Sequence, residues 1–150
     1  MVRFLGLVAV LLLISGCDNQ READLDANRT TWKIHGFKHY WMNLAAECRC
    51  SLSVNGSFIV EVREGKIVKA VFASDKSPVP ASTRSKLPTV EGLFGMIEAA
   101  LRDERGFLSE TSVRPAYHPL YGYPVHTGIR PLRVRGADLN WIIKYLVMNE

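Results

Sequence analysis

The middle of the chain alternates apolar and polar residues, which is the pattern of β-strands with one buried face. The first such segment begins at Phe37. In it Tyr40, Met42 and Leu44 would share one face of a strand, and His39, Trp41 and Asn43 would share the other. In the next segment Phe58, Val60 and Val62 share one face, while Glu61 and Arg63 share the other. Residues 67–72 are apolar enough to form a third strand.

Glycine-containing pairs predict how these strands are joined. Asn55-Gly56 predicts a two-residue hairpin turn between 52–54 and 57–60, because both positions of such a turn need a positive φ. Glu64-Gly65 predicts the next turn. Two consecutive hairpins make an antiparallel meander.

Apolar spacing changes after the proline- and serine-rich loop 74–88. Five apolar residues then recur at helical spacing: Val90, Leu93, Phe94, Ile97 and Leu101. Thr89 is the expected N-cap and Gly106 the expected C-cap. We therefore expect an amphipathic helix that covers one face of the sheet.

The C-terminal third predicts further strands. Residues 112–130 predict a second hairpin around Gly122, which tolerates a positive φ. The segment 139–148 fits a helix or a strand, and its β-branched and aromatic content favours a strand. In that strand one face would hold Leu139, Trp141, Ile143, Tyr145 and Val147. The predicted fold class is α+β: an antiparallel β-meander sheet, one amphipathic helix packed on a face, and a short N-terminal helix or tether.

The N-terminus has the anatomy of a signal peptide. Arg3 precedes an apolar run from Phe4 to Ile14, which has about half of the roughly 20 residues that a spanning helix needs. The stretch Ile14-Ser15-Gly16-Cys17 resembles the bacterial lipobox. That resemblance implies cleavage before Cys17 and attachment of diacylglycerol to its thiol.

These observations predict the domain organisation and the location. Residues 1–16 would be a lipoprotein signal peptide, 17–31 a polar lipidated tether, and 32–150 a single α+β domain. Two or more acyl chains hold a protein stably on a bilayer, so the predicted partner is the lipid bilayer, through acylated Cys17. The resemblance to bacterial lipoproteins further implies that the protein lies on the extracytoplasmic (periplasmic) side of the cell membrane. It also implies that Asp18, the residue after the lipidated cysteine, is a sorting residue that favours the inner membrane.

Composition and charge limit the class of protein and the kinds of partner that are expected. The chain has 150 residues, of which 47% are hydrophobic and 23% are charged, as in ordinary globular proteins. Its formal charge of +4 is mildly basic. The chain has no run of five like charges, no zinc-finger spacing and no RNA-binding aromatic signature, so we expect no nucleic-acid partner.

A family resemblance rests on Trp32, Tyr40, the Cys48-x-Cys50 pair and the Gly122-Tyr123-Pro124 turn. With these residues the chain resembles uncharacterised bacterial lipoprotein and secreted domains of unknown function. The resemblance covers most of residues 32–148. It departs at 127–130, where Thr127, Gly128, Ile129 and Arg130 replace the acidic residues expected after the turn. The resemblance implies the fold and the location and gives no mechanism.

Cys48 and Cys50 carry the main chemical question. With Cys17 lipidated, two cysteines remain outside the cytoplasm, which favours a structural disulfide. In an ideal strand the Cα atoms of residues two apart are separated by about 6.6 Å, near the upper limit for a disulfide. A β-bulge, which would shorten this distance, is therefore expected near the two cysteines. The alternative is a redox-active pair, in which Arg49 would favour the thiolate.

Metal binding is a further alternative. His35 and His39 would join the two cysteines in a zinc-like set, although Gly36 interrupts a helix that would align the histidines. His118 and His126 are equidistant from Gly122 and would face each other across the second hairpin. Two ligands do not make a site, so no metal site and no cofactor are predicted.

No catalytic residue is predicted. Ser85, Ser109 and Ser112 lack the nucleophile elbow, and no pair of carboxylates stands out. The predicted function is therefore a non-enzymatic binding or accessory role of a membrane-anchored cell-envelope lipoprotein, with another envelope protein as a candidate partner. The alternatives are a small thiol–disulfide exchange protein that uses Cys48 and Cys50, and a metal-binding envelope protein.

Overall fold

The computed structural model describes residues 16–49, 54–104, 111–131 and 138–149, with side chains from Gln20 onward. In chain order the elements are α1 (Gly16–His35), β1 (His39–Cys48), β2 (Gly56–Arg63), β3 (Lys66–Phe72), α2 (Ala81–Arg84), α3 (Val90–Glu104), β4 (Thr111–Tyr117), β5 (Pro124–Pro131) and β6 (Leu139–Asn149). The strands form a six-stranded sheet in the order β3-β2-β1-β6-β5-β4, and every pair is antiparallel. This architecture confirms the α+β class.

Strand β6 joins the two halves of the sheet. β1, β2 and β3 form one meander, and β4, β5 and β6 form the other. β6 then pairs with β1, from Cys48 opposite Leu139 to His39 opposite Asn149. The strand prediction for 139–148 is therefore confirmed, and the segment lies at the centre of the sheet.

The predicted apolar faces form the core. The helix-facing side chains of β1 and β2 are at most 1% exposed: Tyr40, Met42, Leu44, Phe58, Val60 and Val62. All five apolar positions predicted for α3 are buried as well. The Thr89 hydroxyl accepts a hydrogen bond from the Gly92 amide at 3.1 Å, which confirms the predicted N-cap. The predicted C-cap, Gly106, lies outside the described residues.

A β-bulge in β6 makes the predicted faces of its last side chains wrong. The pairing with β1 passes from Asn43↔Tyr145 directly to Leu44↔Ile143, so Lys144 is an extra residue. The side chains beyond it change faces. Tyr145 and Val147 are about half exposed, at 50% and 51%, so the prediction that they share a face with Trp141 and Ile143 was wrong. Leu146 and Met148 pack against the core instead.

The connection between β1 and β2 is also different from the prediction. Gly56 pairs with Ala46 and belongs to β2, so Asn55-Gly56 is not a two-residue turn. The connecting residues are 49–55, of which 50–53 lie outside the described residues. The Asn55 side chain accepts a hydrogen bond from the Cys48 amide at 2.6 Å. The predicted turn at Glu64-Gly65 is confirmed, with positive φ at both residues.

Helix α1 is packed into the domain. It has 20 residues and contains the segment 17–31, which was predicted to be a tether or a short helix. Leu25 and Trp32 are each only 3% exposed, and Arg29 hydrogen-bonds the Phe94 carbonyl oxygen at 3.2 Å. The boundary predicted at residue 32 therefore falls inside a helix. Among the described helices, none is long and apolar enough to cross a membrane.

Candidate functional site

Three residues of the family resemblance meet where α1, α3 and β1 pack together. The Trp32 ring lies edge-on to the Tyr40 ring at 5.4 Å and to the Tyr123 ring at 6.0 Å. The Glu91 carboxylate accepts hydrogen bonds from the Trp32 indole at 2.9 Å and from the Tyr40 hydroxyl at 3.1 Å. Burial, and then the nearby Glu91 charge, raise the pKa of Tyr40 far above its ordinary value. The hydroxyl therefore stays protonated, and the cluster holds the helices on the sheet.

The Gly122-Tyr123-Pro124 turn lies against α1. Gly122 has a φ of +73°, and a Cβ there would collide with the Asn28 carbonyl oxygen. In the same turn His118 Nδ1 accepts hydrogen bonds from the Leu120 and Tyr121 amides, each at 3.3 Å. His118 thus has a role within the turn.

The histidine and cysteine sets considered as a metal-binding alternative are not assembled by the described residues. His126 lies opposite Ala116, and His118 follows β4. His39 begins β1 and Cys48 ends it, so the two are about 30 Å apart along the strand. The described residues contain no group of three or more His, Cys, Asp or Glu side chains placed to hold a metal ion.

Cys48 is buried, with 7% of its surface exposed, and it is disulfide-bonded. Cys50 and the Cys17 side chain lie outside the described residues, so the predicted pairing of Cys48 with Cys50 stays a prediction. The Cys48 amide is held by Asn55, and the next amide, that of Arg49, donates to the Asp138 carbonyl oxygen at 3.1 Å. These bonds fix the end of β1 between β2 and β6.

Two adjoining cavities open on the face of the sheet opposite α1 and α3. The larger has a volume of about 600 Å³ and lies between the end of β1, the start of β2 and β6. The smaller has a volume of about 210 Å³ and lies between β4, β5 and β6. Asp138 and Asn140 line both cavities. We call the pair the open-face groove.

Polar side chains dominate the walls of the open-face groove. Those of the larger cavity include Glu47, Arg49, Ser57 and Lys144; those of the smaller include Ser112, Arg114, His126 and Arg130. The exposed Lys144 is the bulge residue, and its Nζ donates to the Ser57 hydroxyl at 3.0 Å. The bulge therefore directs a cation toward the groove.

Gly128 leaves room for the polar floor of the smaller cavity. A Cβ there would lie 2.9 Å from Asn140 Oδ1 and 3.1 Å from His126 Cε1. A larger residue would therefore push these two side chains away. A glycine inside a strand is a signal of such close approach.

The groove has a surplus of positive charge. Four of its lining side chains are cationic and two are anionic: Arg49, Arg114, Arg130 and Lys144 against Glu47 and Asp138. Arg130 is partly neutralised, because its Nε lies 3.3 Å from Asp138 Oδ1. The arrangement can bind a polar or anionic group through several donors at once.

A second polar cluster lies at the other end of the same face. Glu61 is only 5% exposed and accepts hydrogen bonds from Arg63 Nε at 2.7 Å and from His39 Nε2 at 2.9 Å. Burial alone would raise the pKa of Glu61, but the bonds from Arg63 and His39 hold it below its ordinary value. Glu61 faces away from the helices as predicted, yet its burial and pairing were not foreseen.

Comparison with known proteins gives a family and no function. The model of a family of unknown function, DUF6174, matches residues 24–133. No curated protein and no solved structure matches the chain. The match confirms the resemblance to a domain of unknown function, while the motifs proposed for that family stay predictions. Since the match covers most of the sheet and its helices, the chain belongs to the DUF6174 family.

Proposed function

We propose that the protein is a bacterial cell-envelope lipoprotein whose domain binds a partner or ligand in the open-face groove without catalysing a reaction. Acylated Cys17 would anchor it on the extracytoplasmic side of the cell membrane, and Asp18 favours the inner membrane. The signal-peptide pattern of residues 1–16 and the resemblance of residues 14–17 to a lipobox support the anchor. The main observation that supports the binding role is the open-face groove.

The dimensions and chemistry of the groove suit binding. The larger cavity, at about 600 Å³, lies within the range of 300–1,000 Å³ that is usual for ligand pockets. Glu47, Ser57 and Lys144 come from three different strands, so the sheet fixes the positions of their backbone atoms. Ordering a long side chain such as that of Lys144 still costs about 0.5–1.5 kcal/mol on binding. The backbone of the groove is therefore preorganised for binding.

The disulfide has a structural role in this proposal. Cys48 lines the larger cavity, and a bond to Cys50 would close a loop too short to stabilise the whole fold appreciably. Such a bond would instead fix the path of the chain where it leaves β1. The Asn55 and Asp138 hydrogen bonds to the neighbouring amides act on the same segment.

The anchor is tested by Cys17→Ser in the native envelope. We expect the wild-type protein in the membrane fraction with a diacylglycerol-modified N-terminal peptide in its mass spectrum, and the variant without that lipid. Tight membrane binding of Cys17→Ser with an uncleaved N-terminus would contradict the lipobox interpretation.

The binding role is tested by photo-crosslinking in cells. A photoreactive amino acid replaces Ser112 in the groove or, as a matched control, Lys66 at the far end of the sheet. We expect a discrete crosslinked product from position 112 that is lost when Lys144→Glu is added, and none from position 66. Crosslinking that is equal at both positions, or unaffected by Lys144→Glu, would count against the groove.

Thiol–disulfide exchange is the second candidate, because the disulfide-bonded Cys48 lies in the wall of the groove. A partner bound there would be close to the sulfur atoms. In this case Cys50→Ser would trap a mixed disulfide between Cys48 and a substrate protein, visible on a non-reducing gel. A variant that never captures such a partner would count against exchange and leave the structural disulfide.

A further inference from the structure

We infer that the domain lies directly on the bilayer, with the Cys48 end of its sheet and the open-face groove against anionic phospholipid headgroups. This inference rests on the proposed lipidation of Cys17 and on the proposed binding role of the groove, for which it identifies the ligand as an anionic phospholipid headgroup. It follows from the path of α1, from the strand register and from the charge of the groove.

Helix α1 leaves no flexible tether between the anchor and the domain. Cys17 belongs to the first turn of the helix, and Arg21, one turn later, pairs with Glu104 of α3 at 2.7 Å. Further along, Arg29 pairs with Glu98 at 3.0 Å. At 1.5 Å per residue, Cys17 lies only about 6 Å beyond Arg21 along the helix axis. An acyl chain on Cys17 would therefore hold this end of the domain at the membrane surface.

The strand register identifies which end of the sheet this is. Glu104, the partner of Arg21, also accepts a hydrogen bond from the Val113 amide at 2.6 Å. Val113 is opposite Ile129, Ile129 is opposite Leu139, and Leu139 is opposite Cys48. This row of paired residues crosses the sheet from β4, next to the N-terminal end of α1, to Cys48 in the groove. The start of α1 and the groove therefore lie at the same end of the strands. The opposite end, with the Glu64-Gly65 turn, lies about 30 Å away along the strands.

Charge supports contact with headgroups rather than insertion. The groove has four cations against two anions, and basic groups near a membrane surface are attracted to anionic lipids. The two most exposed large apolar side chains, Ile34 and Leu120, lie at the other end, in the last turn of α1 and in the β4–β5 turn. The most exposed apolar side chains are therefore not at the Cys48 end, so this end is suited to contact with headgroups rather than to insertion into the hydrocarbon core.

Energy transfer between the protein and the membrane tests the orientation. The lipidated full-length product is reconstituted in vesicles that contain an anionic phospholipid and an acceptor dye on some headgroups. A fluorescent amino acid replaces Glu64 in one variant and Ser74 in another. Both positions are exposed and flank the two ends of β3, and those ends are about 20 Å apart. We expect clearly stronger transfer from position 74, whereas equal or reversed transfer would overturn the orientation.

Two controls separate the possible failures. The mass of the N-terminal peptide is measured on the same sample: absence of lipid on Cys17 overturns both the anchor and this inference, while lipid with reversed transfer overturns the orientation alone. The double variant Arg114→Gln/Lys144→Gln should reduce the difference in transfer between positions 74 and 64, and Lys66→Gln at the distal end should not. A double variant with an unchanged difference would overturn the contact with anionic headgroups.

Discussion

Replacing Tyr40 by phenylalanine tests the junction of the helices and the sheet with the smallest possible change. The Tyr40 hydroxyl accepts a hydrogen bond from the Val90 amide at 3.0 Å and donates one to Glu91 at 3.1 Å. Tyr40 and Val90 are both buried, so water would not replace the lost partner of the Val90 amide. Glu91 keeps its bond from the Trp32 indole.

The structure sets the size of the expected effect. A buried donor left without a partner costs about 1–3 kcal/mol, so Tyr40→Phe should lower the free energy of unfolding by about 2 kcal/mol. For a domain of this size that loss corresponds to a decrease of about 6 °C in the melting temperature. Tyr145→Phe is the matched control, because Tyr145 is half exposed on the other face, and we expect a change below about 0.5 kcal/mol.

The free energy of unfolding of both variants is measured by urea unfolding, followed by circular dichroism. The slope of the free energy against urea concentration should remain that of the wild type, since the surface exposed on unfolding is unchanged. A Tyr40→Phe protein within 0.5 kcal/mol of the wild type would refute the reasoning that this hydroxyl ties α3 to β1. An equal loss in Tyr145→Phe would refute it as well.

Three further predictions concern stability and use the same unfolding assay. Gly122→Ala should destabilise the protein by about 3 kcal/mol through strain and collision, whereas Gly95→Ala, in an open position of α3, should stabilise it by about 1 kcal/mol; the reverse order would contradict the packing of the turn on α1. Leu25→Ala should cost about 3 kcal/mol and Ile34→Ala almost nothing, and equal small effects would mean that α1 is not packed. Burial raises the pKa of Tyr117 to about 12, so the folded state holds that proton longer than the unfolded chain; stability should fall as the pH rises from 10 toward 12, and by less in Tyr117→Phe.

Local patterns predicted most of the fold. The alternation in β1 and β2 and the helical spacing of α3 identify buried faces, because the period of apolar residues depends only on local geometry. The turn at Glu64-Gly65 has an equally local cause. The β-bulge at Lys144 has no such signal, since one inserted residue changes the face of every later side chain without changing the composition.

Helix α1 and the groove depend on tertiary contacts that the sequence does not display. Only two large apolar residues of α1, Leu25 and Trp32, are buried, and the polar Arg29 between them bonds to α3, so the segment is polar enough to suggest a tether. The groove combines residues from distant parts of the chain, such as Ser57 and Lys144. Its charged residues look like ordinary surface residues until the sheet places them together.

The central position of β6 has a consequence for the order in which the protein can fold. β6 follows every other described strand in the chain, yet β1 and β5 both need it as a neighbour. Until residues 139–149 emerge, the chain consists of two separate sets of strands with unpaired edges, and long-range pairing of this kind is slow. The complete sheet can therefore form only after residues 139–149 have been synthesised.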